Sequence, residues 1–486
     1  MAEESTQKLL EEVSRWKLEA ADEDSQRYFY HVDIIKSLES GENSIVIGRK
    51  GTGKTAICRY FETGTTHDRF CLKLSFKEFP FNILYKLEDN NYTTPSQYIS
   101  IWKYFIYNSI LKMMSTNKNL NSDFQEQLEK LFPEGSMNQV NQMMVNWTKK
   151  SFGAGVLGVS GNTSIDRQFN SIHEIIHDLV PALESSIAEN IDDRDYFIVF
   201  DELDEDYRNY WDNESRDKYL SLMTSLFKAV SSVRRMARDS NAYIKPIIFL
   251  RDDIYDLLTD PDKNKWEDHK IDLSWTRDNL KRMLGFRIAR SANEGATSFD
   301  FDTNWQNIIG ATEIRVLGHR RRNPSPFEYI LQITHSRPRD FVRYLRDAAR
   351  SSLAQGHKKI SESTIRGVDT EFSKHLLEEL VNEIQGLIPD IRQFLAYIGT
   401  THKQRYRFDD FISLIGRYQK SDDCDEITKE MSNVSIAKIL FHFSIIGNAE
   451  RPGNRSIFRY QRSNLTINPS ESLVIHRGLL KSLGLS

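Results

Sequence analysis

A nine-residue stretch in the first part of the chain has the spacing of a phosphate-binding loop. Its residues are Gly48, Arg49, Lys50, Gly51, Thr52, Gly53, Lys54, Thr55 and Ala56. The apolar residues 44–47 before the loop are typical of a short buried strand, and residues 56–61 after it are typical of a helix. Glycines let the backbone curl so that N–H groups and the helix N-terminus point at phosphates. Lys54 would then reach the β- and γ-phosphates and Thr55 would bind Mg²⁺. The loop predicts binding of a nucleoside triphosphate.

Apolar runs alternate with helical segments after the loop. A long helix is predicted at residues 215–238, between two continuous apolar runs that are typical of strands buried on both faces. The predicted strands after the loop are 69–75, 196–200 and 243–250. Because strands that alternate with helices form parallel sheets through crossover connections, the pattern predicts an α/β fold with a parallel P-loop NTPase core.

Changes in pattern along the chain predict three domains. Residues 1–270 would form the ATPase core, 271–370 a mainly helical lid, and 371–486 a winged-helix-like domain. Polar helices followed by a glycine-rich run mark residues 117–166 as an insertion in the core.

The composition is ordinary for a globular protein. Of the 486 residues, 39% are hydrophobic and 28% are charged, and the formal net charge of −4 does not favour general attraction to nucleic acid. Three cysteines without paired spacing favour a reducing compartment. The chain shows neither a signal-peptide pattern nor an apolar stretch of membrane-spanning length, so we expect a cytoplasmic protein without a membrane partner.

An acidic cluster follows the predicted strand 196–200. Carboxylates at the tip of a buried strand are costly unless a positive group lies beside them, and Mg²⁺ would supply that charge. We expect Asp201 to hold the metal and Glu202 to polarise the water that attacks the γ-phosphate. Asp204 and Glu205 are close alternatives for the base.

Arginines occupy two further positions with a catalytic interpretation. Arg251 follows the strand 243–250 and would either sense the γ-phosphate or form a salt bridge with Asp252, Asp253 or Glu202. Arg337 and Arg339 flank a proline at a predicted helix start, where they could reach a phosphate. A helix start that is merely basic is the alternative.

The order of these motifs resembles an AAA+/STAND-like P-loop ATPase. The segment 336–340 (Ser-Arg-Pro-Arg-Asp) is similar to the sensor 2 stretch of origin-recognition and related AAA+ proteins. That resemblance implies a lid arginine on the γ-phosphate, with Arg339 the better match and Arg337 the reserve. Many relatives have glycine after the first aspartate of the acidic motif, where this chain has Glu202.

Most of the chain, outside 117–166, also resembles a group of poorly characterised bacterial P-loop ATPases. The shared features are the loop 48–56 and a terminal stretch at 468–479 (Asn-Pro-Ser-Glu-Ser-Leu-Val-Ile-His-Arg-Gly-Leu). Such proteins are often associated with defence against phage, which implies a separate effector protein as a partner.

Other nucleotide-binding classes fit less well. The sequence has no Leu-Ser-Gly-Gly signature of ABC ATPases and no Asn-Lys-x-Asp guanine reader, which leaves ATP with Mg²⁺ as the expected cofactors. A small-molecule kinase would not require Glu202.

AAA+ enzymes usually complete one subunit's site with an arginine from a neighbour, which implies a homo-oligomer. The candidates are Arg234, Arg235, Arg238, Arg320, Arg321 and Arg322. Each is equally consistent with a solvated basic surface.

The C-terminal residues suit a winged helix. Amphipathic helices are predicted at 408–418 and 435–443, followed by a hairpin at 445–459. Wing arginines would contact DNA phosphates, although nearby acidic residues favour a structural or partner-binding role. These arginines are Arg451, Arg455, Arg459 and Arg462.

The leading interpretation is Mg²⁺-dependent ATP hydrolysis that drives a conformational switch. Two alternatives are an ATP-dependent DNA-binding regulator or loader, and a pseudo-ATPase that holds nucleotide without cleaving it.

Overall fold

A computed structural model shows how the chain folds. It describes residues 2–19, 22–30, 33–77, 81–85, 93–94, 96–132, 165–207, 213–297, 299–316, 323–450 and 455–485. The chain divides into two compact units. The first, called the sheet unit, comprises the described parts of 31–50 and 54–273. The second, called the helical unit, comprises the described parts of 1–30, 51–53 and 274–486.

A five-stranded parallel sheet organises the sheet unit. Its strands are β1 (Ile45–Ile47), β2 (Arg69–Ser75), β3 (Asp195–Asp201), β4 (Ile244–Leu250) and β5 (Lys270–Asp272). Their order across the sheet is β2-β3-β4-β1-β5, and every neighbouring pair is parallel. All three residues of β1 are buried, as is nearly all of β3 and β4. Strands covered on both faces are expected of a parallel sheet.

Helices connect these strands. Two helices of the helical unit, α1 (Ala2–Ser14) and α2 (Ser25–Tyr28), precede the first strand. The sheet unit then contains α3 (Ile34–Glu39), α4 (Lys54–Thr63), α5 (Phe81–Tyr85), α6 (Ile99–Thr116), α7 (Ser122–Leu131), α8 (Ile165–Asn190), α9 (Asn213–Asp239), α10 (Asp252–Leu257) and α11 (Lys263–Glu267). The order of motifs and the parallel sheet confirm the predicted α/β P-loop core.

The predicted insertion is only partly described. Residues 117–132 include α7, whose Asn121 side chain caps the helix by accepting a hydrogen bond from the Asp123 N–H. Residues 133–164 lie outside the described part of the chain.

The rest of the helical unit continues with helices of the predicted lid. They are α12 (Arg277–Ala292), α13 (Phe301–Ile308), α14 (Pro326–Ile333), α15 (Pro338–Ala354) and α16 (Glu362–Ile384). α16 is one continuous helix that crosses the boundary predicted at residue 370.

A small antiparallel sheet and short helices follow, in the region for which a winged-helix-like domain is predicted. The helices are α17 (Ile391–Thr400), α18 (Phe408–Tyr418), α19 (Glu426–Glu430) and α20 (Asn433–His442). The strands are β6 (Arg405–Arg407), β7 (Ile446–Glu450), β8 (Arg455–Ile457) and β9 (Ser472–Ile475), in the order β6-β9-β7-β8. β7 and β8 are the two strands of the predicted hairpin.

The first helix does not belong to the sheet unit, although residues 1–270 were predicted as one core. Leu9, Leu10, Val13 and Trp16 are buried in the same apolar core as α12 and α15. The Trp16 Nε1–H also donates to Ser291 Oγ at 2.9 Å. The apolar side of α1 is therefore covered inside the helical unit, which explains why residues 1–30 group with 274–486.

Candidate functional site

The loop after β1 has the backbone that a phosphate cradle requires. The Gly48 N–H donates to the Leu250 carbonyl at 3.1 Å, which ties the loop start to β4. Gly51 and Gly53 have φ angles of +80° and +100°. Side chains rarely tolerate those angles, so glycine is needed at both positions. α4 then begins at Lys54.

Lys54 folds back over the loop. Its Nζ donates to the carbonyls of Gly48 at 2.6 Å and Arg49 at 3.1 Å. Desolvation lowers the pKa of Lys54, while the charges of Asp204 and Asp252 oppose that shift. A desolvated ammonium bound by neutral carbonyls is suited to an anionic ligand.

Three strand ends meet at the carboxyl edge of the sheet. β4 lies between β1 and β3, pairing Ile47 with Leu250 on one side and Phe200 with Ile248 on the other. The loop after β1, Arg251 after β4 and the acidic residues at the end of β3 therefore lie at the same edge of the sheet. Only β4 lies between the loop and the acidic residues.

Asp201 is the buried acid at that edge. Its side chain is 4% exposed, and Lys73 Nζ on β2 lies 3.0 Å from its Oδ2. Burial alone would lower the pKa of Lys73, but the Asp201 carboxylate raises it above its ordinary value. Burial raises the pKa of the Cys58 thiol, and the charge of Asp201 raises it further. Asp201 and Lys73 therefore form an ion pair that favours the charged form of the lysine.

Glu202 has an unusual backbone conformation. Its φ and ψ angles are 61° and 32°, in the left-handed region where a non-glycine residue is strained. The Ser75 hydroxyl donates a hydrogen bond to Glu202 Oε2. Many members of the family that the chain resembles have glycine at this position. Glycine would adopt this conformation without strain. Here the strained turn and Ser75 fix the direction of a carboxylate.

Arg251 forms a salt bridge, one of the two alternatives that the sequence left open. Its Nε and Nη2 donate to the two carboxylate oxygens of Asp253 at 2.9 and 2.6 Å. Its Nη1 lies 3.5 Å from Asp204 Oδ2. This network occupies both Arg251 and Asp204, one of the alternative bases.

These residues fit Mg²⁺ and a nucleoside triphosphate. Gly53 has no atom within 4 Å of where a Cβ would stand, which leaves room for phosphate oxygens beside the backbone. Lys54 would bind phosphate, and Thr55 with Asp201 would hold the metal. When bound, the metal neutralises charge on the phosphates.

Arg337 is a buried structural cation in the helical unit. Its side chain is 1% exposed and its Nη1 lies 3.2 Å from Glu383 Oε1 and 3.7 Å from Glu379 Oε2. Burial alone would lower the pKa of Arg337, but the charges of Glu383, Asp340 and Glu379 raise it. Arg337 therefore links the start of α15 to α16.

Arg339 is more accessible, with a side chain that is 22% exposed. Its Nη2 lies 3.2 Å from Glu19 Oε2 and its Nη1 lies 3.5 Å from Glu379 Oε1. Of the two arginines, Arg339 is the one whose guanidinium is partly open to a ligand.

The remaining arginine candidates lie elsewhere. Arg234, Arg235 and Arg238 line a cavity at the amino ends of β1 and β5, on the opposite edge of the sheet from the loop. Residues 320–322 and Arg451 lie outside the described residues. In the wing, Arg455 and Arg462 are exposed and Arg459 is half-buried.

Lys73 and Ser75 were not identified from the sequence. Both are on β2, two residues apart, and they contact Asp201 and Glu202 respectively. Their spacing was visible as alternation on a strand, but their role depends on β2 lying next to β3, which no local pattern reveals.

One family model matches part of the helical unit. Residues 278–381 match the FunZ-associated C-terminal helical domain, which corresponds to α12 through most of α16. No helix among the described residues is long and apolar enough to cross a membrane.

A curated relative covers more of the chain. The 80.3 kDa protein assigned to transposon gamma-delta of Escherichia coli (strain K12) is 26% identical over 382 residues, or 76% of this chain. The match covers 51% of that protein, so this chain spans about half the length of the relative.

Two solved structures are similar over most of their length. Cdc6p from Pyrobaculum aerophilum matches with 16% identity, over 93% of this chain and 90% of that chain, at a TM-score of 0.29. Drosophila ORC bound to DNA matches with 12% identity, over 97% of this chain and 89% of that chain, at a TM-score of 0.31. At such TM-scores the likeness is loose, and the assignment of the fold rests on the sheet order and the loop.

Proposed function

We propose that this protein hydrolyses ATP with Mg²⁺ and uses the cycle as a conformational switch. The proposal depends on the position of the loop and of the acidic residues Asp201 and Glu202 at the same edge of the sheet. Glu202 is held there in a strained turn. A strained residue that a hydrogen bond holds in place is typical of functional sites.

The roles follow from the chemistry of each group. Lys54 and the loop N–H groups bind the phosphates, and Thr55 and Asp201 hold Mg²⁺. Glu202 orients and deprotonates the attacking water, with its carboxylate directed by Ser75. Lys73 balances the charge of Asp201 and would share that carboxylate with the metal.

The arginines couple the site to the helical unit in this proposal. Arg339, the partly exposed member of the pair, contacts the γ-phosphate, while Arg337 holds α15 on α16. Arg251 senses the phosphate only if it leaves Asp253, so we assign it mainly to positioning Asp204.

The biological setting rests on resemblance alone. AAA+/STAND-like bacterial ATPases of this kind support a role in anti-phage defence in the cytoplasm, with a homo-oligomer and a separate effector protein. The similarity to a protein assigned to transposon gamma-delta supports a mobile genetic element as a second setting.

A second candidate function is an ATP-dependent DNA-binding regulator. The β7–β8 hairpin favours it, because Arg455 on β8 and Arg462 beyond it are exposed where a wing would meet phosphates.

The testing experiment compares ATP turnover by the wild type and Glu202→Gln at two protein concentrations, with and without duplex DNA. We expect the variant to bind ATP normally and to lose at least ~100-fold in turnover, because a positioned base contributes that much. Turnover that rises with protein concentration would support a shared-site oligomer, and stimulation by DNA would favour the regulator.

Glu205→Gln is the matched control, since it removes a neighbouring carboxylate from the same acidic segment. Normal turnover in Glu202→Gln together with loss in Glu205→Gln would move the base to Glu205. Absence of turnover in the wild type under every condition would favour a nucleotide-holding pseudoenzyme.

A further inference from the structure

A cavity of about 300 Å³ lies within the sheet unit, at the amino ends of the strands. Ser44 and Ile45 at the start of β1 form one side of it, and His269 before β5 forms another. The C-terminal half of α9 and part of α11 complete the lining. The nucleotide loop follows the opposite, carboxyl end of β1, so the cavity is separate from the proposed ATPase site.

The lining is strongly basic. Five lysine and arginine side chains contribute to it: Lys228, Arg234, Arg235, Arg238 and Lys265. Two of these five are neutralised, because Lys228 Nζ lies 2.9 Å from Asp260 and Lys265 Nζ lies 2.6 Å from Asp262. None of the three arginines lies within ion-pair distance of a carboxylate among the described residues. Asp262 also lines the cavity, and Lys265, Lys228 and Arg235 lower its pKa.

Arg234 is anchored along one edge only. Its Nη2 donates to the carbonyls of Gly41 and Glu42 at 3.0 and 3.1 Å and lies 3.3 Å from His269 Nδ1. Its Nη1 is buried and makes no hydrogen bond with the described residues. Burial lowers the pKa of Arg234, and the like charge of Arg238 lowers it further. The fold thus keeps a guanidinium in a place where desolvation and the like charge of Arg238 both disfavour the positive charge.

This arrangement is costly without an anion. Arg234 and Arg238 are four residues apart on α9, a spacing at which like charges destabilise a helix. Arg235 and Arg238 are exposed, and hydroxyls of Ser231 and Ser232 also line the cavity. Guanidinium groups bind phosphate oxygens through paired N–H donors, and hydroxyls add further donors.

We propose that this cavity is a second, separate binding site for a small molecule that bears two or more linked phosphate groups. Its volume is at the lower end of the range for small-ligand pockets, which suits a polyphosphate or the phosphate part of a nucleotide. The three arginines supply the charge and the Ser232 hydroxyl supplies a neutral donor, whereas the Ser231 hydroxyl donates to the Phe227 carbonyl at 2.8 Å.

The experiment is isothermal titration calorimetry on the full chain carrying Lys54→Ala, so that the loop does not contribute. The probes are sodium tripolyphosphate and ATP at 0.15 M salt. We expect one saturable site per chain for tripolyphosphate, and loss of at least ~10-fold in affinity when Arg235→Gln and Arg238→Gln are added. Equal affinity for ATP would show that only phosphates are recognised, and tighter ATP binding would show that the ligand is a nucleotide.

Arg216→Gln is the matched control, because Arg216 is also on α9 and pairs with Asp217 away from the cavity. Its affinity should equal that of the parent. Equal weakening in the control, no saturable binding of tripolyphosphate, or tight binding only of a 20-base-pair duplex would overturn the proposal. Two ATP sites per chain despite Lys54→Ala would instead contradict the loop assignment and leave this cavity supported.

Discussion

At the residue scale, Lys54 tests the nucleotide loop most directly. Its ammonium group is desolvated and bonded to two loop carbonyls, so a phosphate would replace neutral partners with a charged one. We expect Lys54→Ala to abolish nucleotide binding at the loop, measured with a fluorescent ATP analogue. Undiminished affinity would contradict the assignment.

Lys50 offers a control for charge alone. It belongs to the same loop but is exposed. Lys50→Ala removes the same formal charge, and we expect it to change affinity by less than about fivefold, since exposed charges are strongly screened. A large loss in both variants would indicate general electrostatic attraction rather than a specific contact.

Lys73 leads to a second prediction at this scale. Lys73→Met would leave the Asp201 carboxylate buried without its partner, which typically costs about 3–5 kcal/mol of unfolding free energy. Adding Mg²⁺ with ATP should raise the melting temperature of this variant more than that of the wild type, because the metal replaces the lost charge.

The exposed Lys77 provides the matched comparison on the same segment. Thermal melts of Lys77→Met should resemble those of the wild type with and without Mg²⁺ and ATP. If ligand protected Lys73→Met no more than the wild type, Asp201 would not be a metal ligand.

At the scale of elements, most strands and helices could be predicted but their partners could not. The runs 69–75, 196–200 and 243–250 are strands because their apolar residues fit a covered sheet. The pairing of Lys73 with Asp201 depends on the order β2-β3, which is set by packing over distance rather than by neighbouring residues. Likewise, residues 1–27 are rich in charged residues, which made the burial of Leu10, Val13 and Trp16 hard to predict. The burial of these three side chains places α1 in the helical unit.

Helices α15 and α16 are held together by buried charge. Arg337 lies against Glu383 and Glu379, and removing it would leave two largely buried carboxylates without that partner. We expect Arg337→Ala to lower the unfolding free energy by about 3–5 kcal/mol, measured by urea denaturation.

An exposed pair between α16 and α17 gives the contrast. Arg392 lies 2.6 Å from Glu378, and both side chains are about half exposed. Arg392→Ala should cost at most about 1 kcal/mol, as surface pairs do. Similar costs for the two variants would mean that Arg337 is not a structural cation, and its catalytic interpretation would regain weight.

At the scale of the whole molecule, the sheet unit contains most of the loop, with Lys54 and Thr55, and the helical unit contains Arg339. Residues 51–53 of the loop group with the helical unit, while the flanking residues up to 50 and from 54 belong to the sheet unit. Ligand binding shifts a population only if the two states bind it differently.

The proposed switch therefore predicts a change of shape that follows the nucleotide. Glu202→Gln should hold ATP without cleaving it, so small-angle scattering should give it a radius of gyration with ATP that differs from its value with ADP. The wild type should change from the first value to the second as ATP is consumed, and Lys54→Ala should show neither change. Identical scattering of Glu202→Gln with ATP and ADP, at saturating nucleotide, would leave hydrolysis intact but would exclude a nucleotide-driven rearrangement of the size that scattering detects. The energy of ATP would then have to act on a partner rather than on the shape of this chain.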